Sequence, residues 1–227
     1  GSAGETRDGL QAKDPLASPY EIRGTTMNPG ETTLQLINDL VDEGIEHIVL
    51  LMRHSAREYE PGRHDLLNPL TDEGRGLARQ LGGAIPKSLT LRGFTSPAER
   101  CVETAALMME AHKEGGGLTM RNRVVEALGV FYVLDQMKMF MAMQAAGSMV
   151  SFQQEWFSEN VSPDILMPSH TSAAIIARLM LEKLKEKPEK SRLDLMVSHD
   201  FTIYLLKDQL LMRVKLLKLR LVVIPLI

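Results

Sequence analysis

From Thr33 onward, the apolar residues Leu34, Ile37, Leu40 and Val41 recur three and four apart, which sets them on one face of a helix, with Gly44 suited to its C-terminal end. The period then changes. Residues 45–52 (IEHIVLLM) form a nearly unbroken apolar run with β-branched members and no alternation, which predicts a strand buried on both faces, as in parallel sheets. Two shorter runs repeat this strand-then-polar-turn arrangement: residues 91–95 (LRGFT) before Ser96-Pro97, and residues 193–197 (LDLMV) before Ser198-His199-Asp200.

Helix signals lie between these runs. Residues 71–81 open with Thr71 as a candidate N-cap and with Asp72 and Glu73 in the first turn, where carboxylates favour the helix dipole. Ser96-Pro97-Ala98-Glu99 offers a capping residue, Pro at the first helical position and Glu at the third. Residues 171–187 carry Ile175, Ile176, Leu179, Met180 and Leu184 on an apolar side and stop at Pro188. Strands alternating with helices predict an α/β fold, a three-layer sandwich with a mostly parallel central sheet flanked by helices.

Residues 124–168 fit that alternation poorly and predict a small helical cap insertion over one end of the sheet. Met137, Met139, Met141, Met143 and Met149 fall here, with Trp156 and Phe157. A helix packed in a core is the plainer reading of these methionines, and a pliable lid over the active site is the other. Residues 1–30 lack apolar periodicity and read as a flexible leader, which leaves residues 31–227 as a single predicted domain. Alternation at residues 217–221 (LKLRL) resembles a closing strand.

Composition narrows the functional classes. Hydrophobic residues are 44% of the chain and charged residues 24%, enough to build a core and too ordered for a disordered chain. Lys+Arg number 26 against 29 Asp+Glu, so the balance predicts no nucleic-acid partner, and any anion recognition must be local. The lone Cys101 excludes an intramolecular disulfide and thiolate zinc sites, and points to a reducing, cytoplasmic compartment. No apolar run reaches the roughly 18 residues of a membrane span. The opening Gly1-Ser2 looks like a cloning scar, so a natural targeting segment could have been cut away.

Ligands of open α/β sheets bind beyond the C-terminal ends of the strands, and three predicted strand ends carry chemistry here. Arg53-His54-Ser55-Ala56-Arg57 follows the first strand, Ser96-Pro97-Ala98-Glu99-Arg100 the second, and Ser198-His199-Asp200 the third. Two histidines and three arginines thus meet at one edge, with His54 at a solvent-facing strand end. Guanidinium groups present planar donors suited to phosphate, and imidazole is the side chain that can serve as nucleophile or proton carrier near neutral pH. This pattern reads as a phosphoryl site. Metal ligation by His54, His199 and Asp200 is disfavoured by the adjacent arginines, so no metal and no cofactor is predicted. His47 and His112 read as structural, as does His170 beside a helix start. His64, in a Gly-flanked loop, is a candidate for the wall of a substrate pocket.

These residues resemble the ordered signatures of the histidine phosphatase (phosphoglycerate mutase-like) superfamily: Leu51-Met52-Arg53-His54, then Leu70-Thr71-Asp72-Glu73-Gly74, then the segment from Ser96 to Ala105, then Val197-Ser198-His199-Asp200. The resemblance covers roughly residues 45–205 and implies a phosphoglycerate mutase-like fold and a phosphohistidine mechanism. His54 would attack phosphorus, Arg53, Arg100 and His199 would bind phosphoryl oxygens, and Arg57 would assist. Ser55 stands where most members have Gly, and with His64 and Glu126 it joins Arg57 among the candidate substrate-binding residues. Two carboxylates compete for the general acid, Asp200 and Glu126, with Asp200 favoured by its place directly after His199.

The function that follows is a metal-independent phosphomonoesterase acting on a phosphorylated small molecule or phosphopeptide. A phosphomutase of the same chemistry is the nearest alternative, and a non-catalytic phosphate-binding or scaffold protein is the alternative from another class.

Overall fold

A computed structural model describes residues 30–60, 62–212 and 222–224, the last three and residues 211–212 as backbone only. The flexible leader and the strand expected at 217–221 therefore lie outside the described residues. A short strand is found just beyond the latter, at Val222–Ile224.

The chain opens with α1 (Glu31–Asp42), whose Ile37 and Leu40 are buried, and Gly44 just beyond it adopts φ 78°, a left-handed turn that suits glycine. β1 (His47–Arg53) is buried along its five inner positions, as its unbroken apolar run requires. α2 (Asp72–Ala84) begins after Thr71, whose hydroxyl accepts the Gly74 N–H at 2.8 Å, the predicted cap. β2 (Thr90–Thr95), α3 (Glu99–Glu114) and β3 (Thr119–Val124) follow. The cap helices α4 (Gln136–Ala145) and α5 (Met149–Phe157) precede α6 (Ser169–Leu184). β4 (Arg192–Ser198) is buried at every position, and α7 (Asp200–Leu206) and β5 (Val222–Ile224) come last.

All described strand pairs are parallel, in the order β3-β2-β4-β1-β5. Alternate residues of the strands feed two separate cores. Ile48, Leu50 and Met52 of β1, with Leu193, Leu195 and Val197 of β4, pack against α1, α2 and α3. Val49, Leu51 and Met196 point the other way, into a cluster with Ile176 and Met180 of α6 and Ile203 of α7. Helices thus cover both faces, giving the expected three-layer α/β sandwich.

Three sequence readings change. β3 was not anticipated, because an edge strand with the burial pattern of a half-wet surface, in the sequence TMRNRV, carries little hydrophobic signal. The helix expected at Ser96 starts later: Ala98 holds the N-cap position without a side-chain cap, because the Ser96 hydroxyl faces His199. The methionine-rich helix is not a core helix. No residue of α4 is buried; Met137 is 70% and Met141 61% exposed, while Met139 and Met143 line a cavity beneath.

The loop after β1 is clamped onto the start of α2. Thr71 N–H donates to the Ala56 carbonyl at 3.0 Å, and the Ser55 hydroxyl donates to the Gly74 carbonyl at 2.7 Å. The Gly74 α-carbon lies so close to Ala56 that any β-carbon there would strike the Ala56 carbonyl. This is the physical content of the Leu70-Thr71-x-x-Gly74 signature: it fixes the turn that follows His54. Gly74→Ala should therefore cost about 1–3 kcal/mol by forcing backbone apart, read as a thermal midpoint lower by several degrees, whereas Gly76→Ala, with open space around it, should cost nothing.

Candidate functional site

The turns leaving β1, β2 and β4 converge on one edge of the sheet. His54 follows β1, its N–H held by the Ser198 carbonyl at 3.0 Å, and His199 follows β4. Their rings lie edge to face with centroids 5.6 Å apart. Arg100 reaches between them from the first turn of α3. Far from facing solvent, His54 is 1% exposed and Arg100 2%, and both line a cavity shared with Asp65, Leu66 and residues of the cap.

The hydrogen bonds assign the His54 tautomer. Nδ1 lies 2.8 Å from the Ser55 carbonyl, which only accepts, so Nδ1 carries the proton. Nε2 lies 3.0 Å from Arg100 Nε, which only donates, so the Nε2 lone pair faces the guanidinium. Burial, followed by the cations Arg53 and Arg100 and then His199, holds the His54 imidazole well below its usual range. A neutral imidazole whose Nε2 lone pair is bonded only by Arg100 can act as a nucleophile once that donor moves aside. His199 is brought down to about 4, again chiefly by burial and then by Arg100. Its Nε2 lies 2.8 Å from the Ser96 hydroxyl, and its Nδ1 3.4 Å from an Arg100 terminal nitrogen. Cys101 touches the same ring, but burial pushes its thiol up to about 12, so it stays protonated.

Asp65 is the residue the sequence did not single out. Its carboxylate pairs with Arg100 at 2.9 Å and with Arg57 at 2.8 Å, and its carbonyl takes a further Arg100 N–H at 2.6 Å. The two guanidinium groups therefore hold an anion already, one supplied by the chain. Thr104 also went unassigned; its hydroxyl donates to the Arg100 carbonyl and accepts the Ser55 N–H, tying α3 to the turn after His54. Thr104 lies within the signature segment from Ser96 to Ala105 but its role shows only in the fold, and Asp65 carries no sequence signal beyond its residue type, since only the folded loop brings it to the site.

The other candidates separate. Asp200 lines the cavity and forms an ion pair with Arg53 Nε at 3.0 Å. Ser55 is buried, but its hydroxyl is bound to Gly74, so it anchors the turn. Glu126 is exposed in a short 3-10 turn after β3 and does not line the cavity. His64 is exposed too; its Nε2 meets Gln136 of α4 at 3.1 Å, and it joins loop to cap while its neighbours Asp65 and Leu66 face the cavity. His112 is buried against the Leu89 carbonyl, His47 is half-buried and bonds Asp194, and His170 pairs with Glu159. Among the described residues, no cluster of three or more His, Cys, Asp or Glu side chains has the arrangement to hold a metal ion.

Residues 49–224 match the family model for the histidine phosphatase superfamily, branch 1, and the chain belongs to that superfamily. Among solved structures it is similar to a mycobacterial glucosyl-3-phosphoglycerate phosphatase in complex with VO3, at 21% identity, covering 73% of this chain and 82% of that one, with a TM-score of 0.50. It is also similar to a phosphoglycerate mutase from Bacillus anthracis, at 18% identity, covering 77% and 84%, with a TM-score of 0.47. No curated protein matches it. No helix among the described residues is long and apolar enough to cross a membrane.

Two outcomes follow from this electrostatic arrangement. The folded His199 binds its proton far less readily than an unfolded histidine of pKa near 6.5, so the unfolded chain takes up protons first as pH falls. Stability should decline from about pH 6.5 down through 4, by on the order of 3 kcal/mol for this group; melting curves across that range check it, and His199→Gln should lose that share of the slope. Asp65→Asn removes the internal anion, so calorimetric affinity for tungstate should rise on the order of tenfold, while unchanged or weaker binding would show that Asp65 only positions the arginines.

Proposed function

We propose that this protein is a phosphomonoesterase that forms a phosphohistidine on His54. The observation that carries the reading is the neutral, buried His54 whose Nε2 lone pair is turned toward Arg100, beside His199 and Arg57. A phosphoryl group entering the cavity takes over the donors that Asp65 now occupies, drawing the Arg100 guanidinium off Nε2 and onto its own oxygens. His54 Nε2 then attacks phosphorus in line, and the bond from phosphorus to the ester oxygen breaks. Arg53, Arg57, Arg100 and His199 supply the donors for the charge on the transferring group, in a site where Arg100 and both histidines are already largely stripped of water.

Once Arg53 has turned to the phosphoryl oxygens, the Asp200 carboxylate takes up the proton that a phosphate monoanion brings into the site and passes it to the departing alkoxide. Water then attacks the phosphohistidine, with Asp200 recovering a proton from it, and inorganic phosphate leaves. Glu126, exposed and outside the cavity lining, is not placed to do this in the described conformation. The arginines around the histidines make a bound cation unfavourable, and the reading includes no metal.

His54→Ala should lower hydrolysis of p-nitrophenyl phosphate by a factor on the order of 10³ or more, and labelled phosphoenzyme trapped in alkali should disappear with it. Full activity in that variant would remove the proposal, as would loss of activity in EDTA that Zn²⁺ or Mg²⁺ restores. The proton donor is read by leaving group. Asp200→Asn should slow an alkyl phosphate by about 10²-fold or more but p-nitrophenyl phosphate far less, because nitrophenolate leaves without a proton; the same dependence in Glu126→Gln would reverse the assignment.

A further inference from the structure

The cavity above the cationic floor encloses about 340 Å³, and its two halves differ in chemistry. Its histidine, arginine and aspartate side chains are His54, Arg57, Asp65, Arg100, His199 and Asp200, all at the strand ends and the loop beside them. The walls and roof come from Val130, Val133, Met139, Met143, Met149 and Phe201, among others, without a charged side chain. The polar groups there are few, and two are engaged within the protein: the Tyr132 hydroxyl is 3.0 Å from Thr202, and the Ser148 hydroxyl donates to Ser151 and accepts its N–H as the cap of α5. Gln153 and Tyr204 are the remaining polar side chains of that half. Phe201 is held rigid by stacking on Trp156 at 5.1 Å and Tyr132 at 5.9 Å, so the wall it forms is preformed.

A sugar or glycerate phosphate brings several hydroxyl or carboxylate groups that lose water on entry, and each unpaired one costs more than a neutral hydrogen bond returns. This roof offers them little. An alkyl or aryl group loses nothing polar and gains from leaving water, and methionine side chains adapt to its shape. Resting on the phosphomonoesterase reading above, we infer that the substrates are monoesters whose alcohol part is apolar, with the phosphate on the floor of Arg57, Arg100 and His199 and the hydrocarbon against Met139, Met143, Met149 and Phe201.

A homologous series tests this. From ethyl to butyl to hexyl phosphate, kcat/KM should rise about fourfold for each methylene that leaves water, the gain residing in KM. Hexyl phosphate should exceed glucose 6-phosphate by more than about tenfold, although an alkanol is no better a leaving group than a sugar hydroxyl. Met143→Gln should flatten the chain-length slope, and Met143→Leu should restore it. A flat or falling series, or glucose 6-phosphate turned over as well as hexyl phosphate, overturns the inference while leaving the phosphatase intact. If no ester is hydrolysed, the catalytic reading fails. The binding inference is then read by calorimetry with alkylphosphonates, where hexylphosphonate binding no tighter than ethylphosphonate overturns it and a rising affinity supports it.

Discussion

A guanidinium buried in a protein must have an acceptor for nearly every donor, and Arg100 is 2% exposed. Its partners come from three separate parts of the chain, His54 after β1, Asp65 through both carboxylate and carbonyl, and His199 after β4, while Thr104 of the same helix fixes its backbone. Satisfying one side chain therefore sets the relative positions of two strand ends, a loop and a helix. The same requirement makes the site responsive. Asp65 is partly exposed, whereas the groups it neutralises are not, so an incoming dianion with more oxygen acceptors can take its place without leaving Arg100 unpaired. On the proposed reading, affinity for phosphate would be a difference between two well-satisfied states, with the internal anion setting the level from which binding starts.

Charge alone does not mark this end of the sheet as special. Near the start of β4, Asp194 is fully buried and takes Arg92 through both oxygens at 2.7 Å, with His47 at 2.9 Å, while Glu186 bonds Arg92, Lys183 and Arg192. Three fixed cations face two carboxylates there, as Arg53, Arg57 and Arg100 face Asp65 and Asp200 at the other end. The difference is direction. Around Asp194 the donors converge on a carboxylate that lies within the sheet, and the pairing with Arg92 and Lys183 helps draw Glu186 down to about 2. Around Arg100 the donors open on a cavity, and two imidazoles stripped of water stand among them. Perturbed histidines beside a cavity, more than the number of charges, separate a reactive cluster from a structural one.

The frame of the fold was legible because buried parallel strands are continuous apolar runs: residues 45–52, 91–95 and 193–197 fall on β1, β2 and β4, and Thr71 caps α2 as its spacing indicates. β3 escaped because an edge strand follows no such rule. In the site, Arg53, His54, Arg100, His199 and Asp200 could be gathered since strand ends bring their following residues to one edge. Asp65 could not, because a loop residue reaches an active site by a path that periodicity does not record. Ser55 shows the converse error. Adjacency to His54 puts a side chain near that ring in sequence, but in an extended turn neighbouring side chains point apart, and Ser55 turns to Gly74.

The cap couples these two levels. Its apolar wall withholds water from the floor, and burial is the first cause of the low proton affinity of both His54 and His199. In the same low-dielectric surroundings, a guanidinium acts on a phosphoryl oxygen more strongly than it would in water. A wetter roof, lined with the hydroxyl and amide groups that a sugar would need, would return both histidines toward their solution behaviour and weaken the arginines together. An apolar alcohol is thus the partner that leaves the electrostatics of the floor unchanged when it binds, because it displaces water from the roof without adding a dipole to it. On the proposed reading, recognition of the leaving group and activation of the nucleophile would both draw on the apolar cavity wall that includes Met139, Met143 and Phe201.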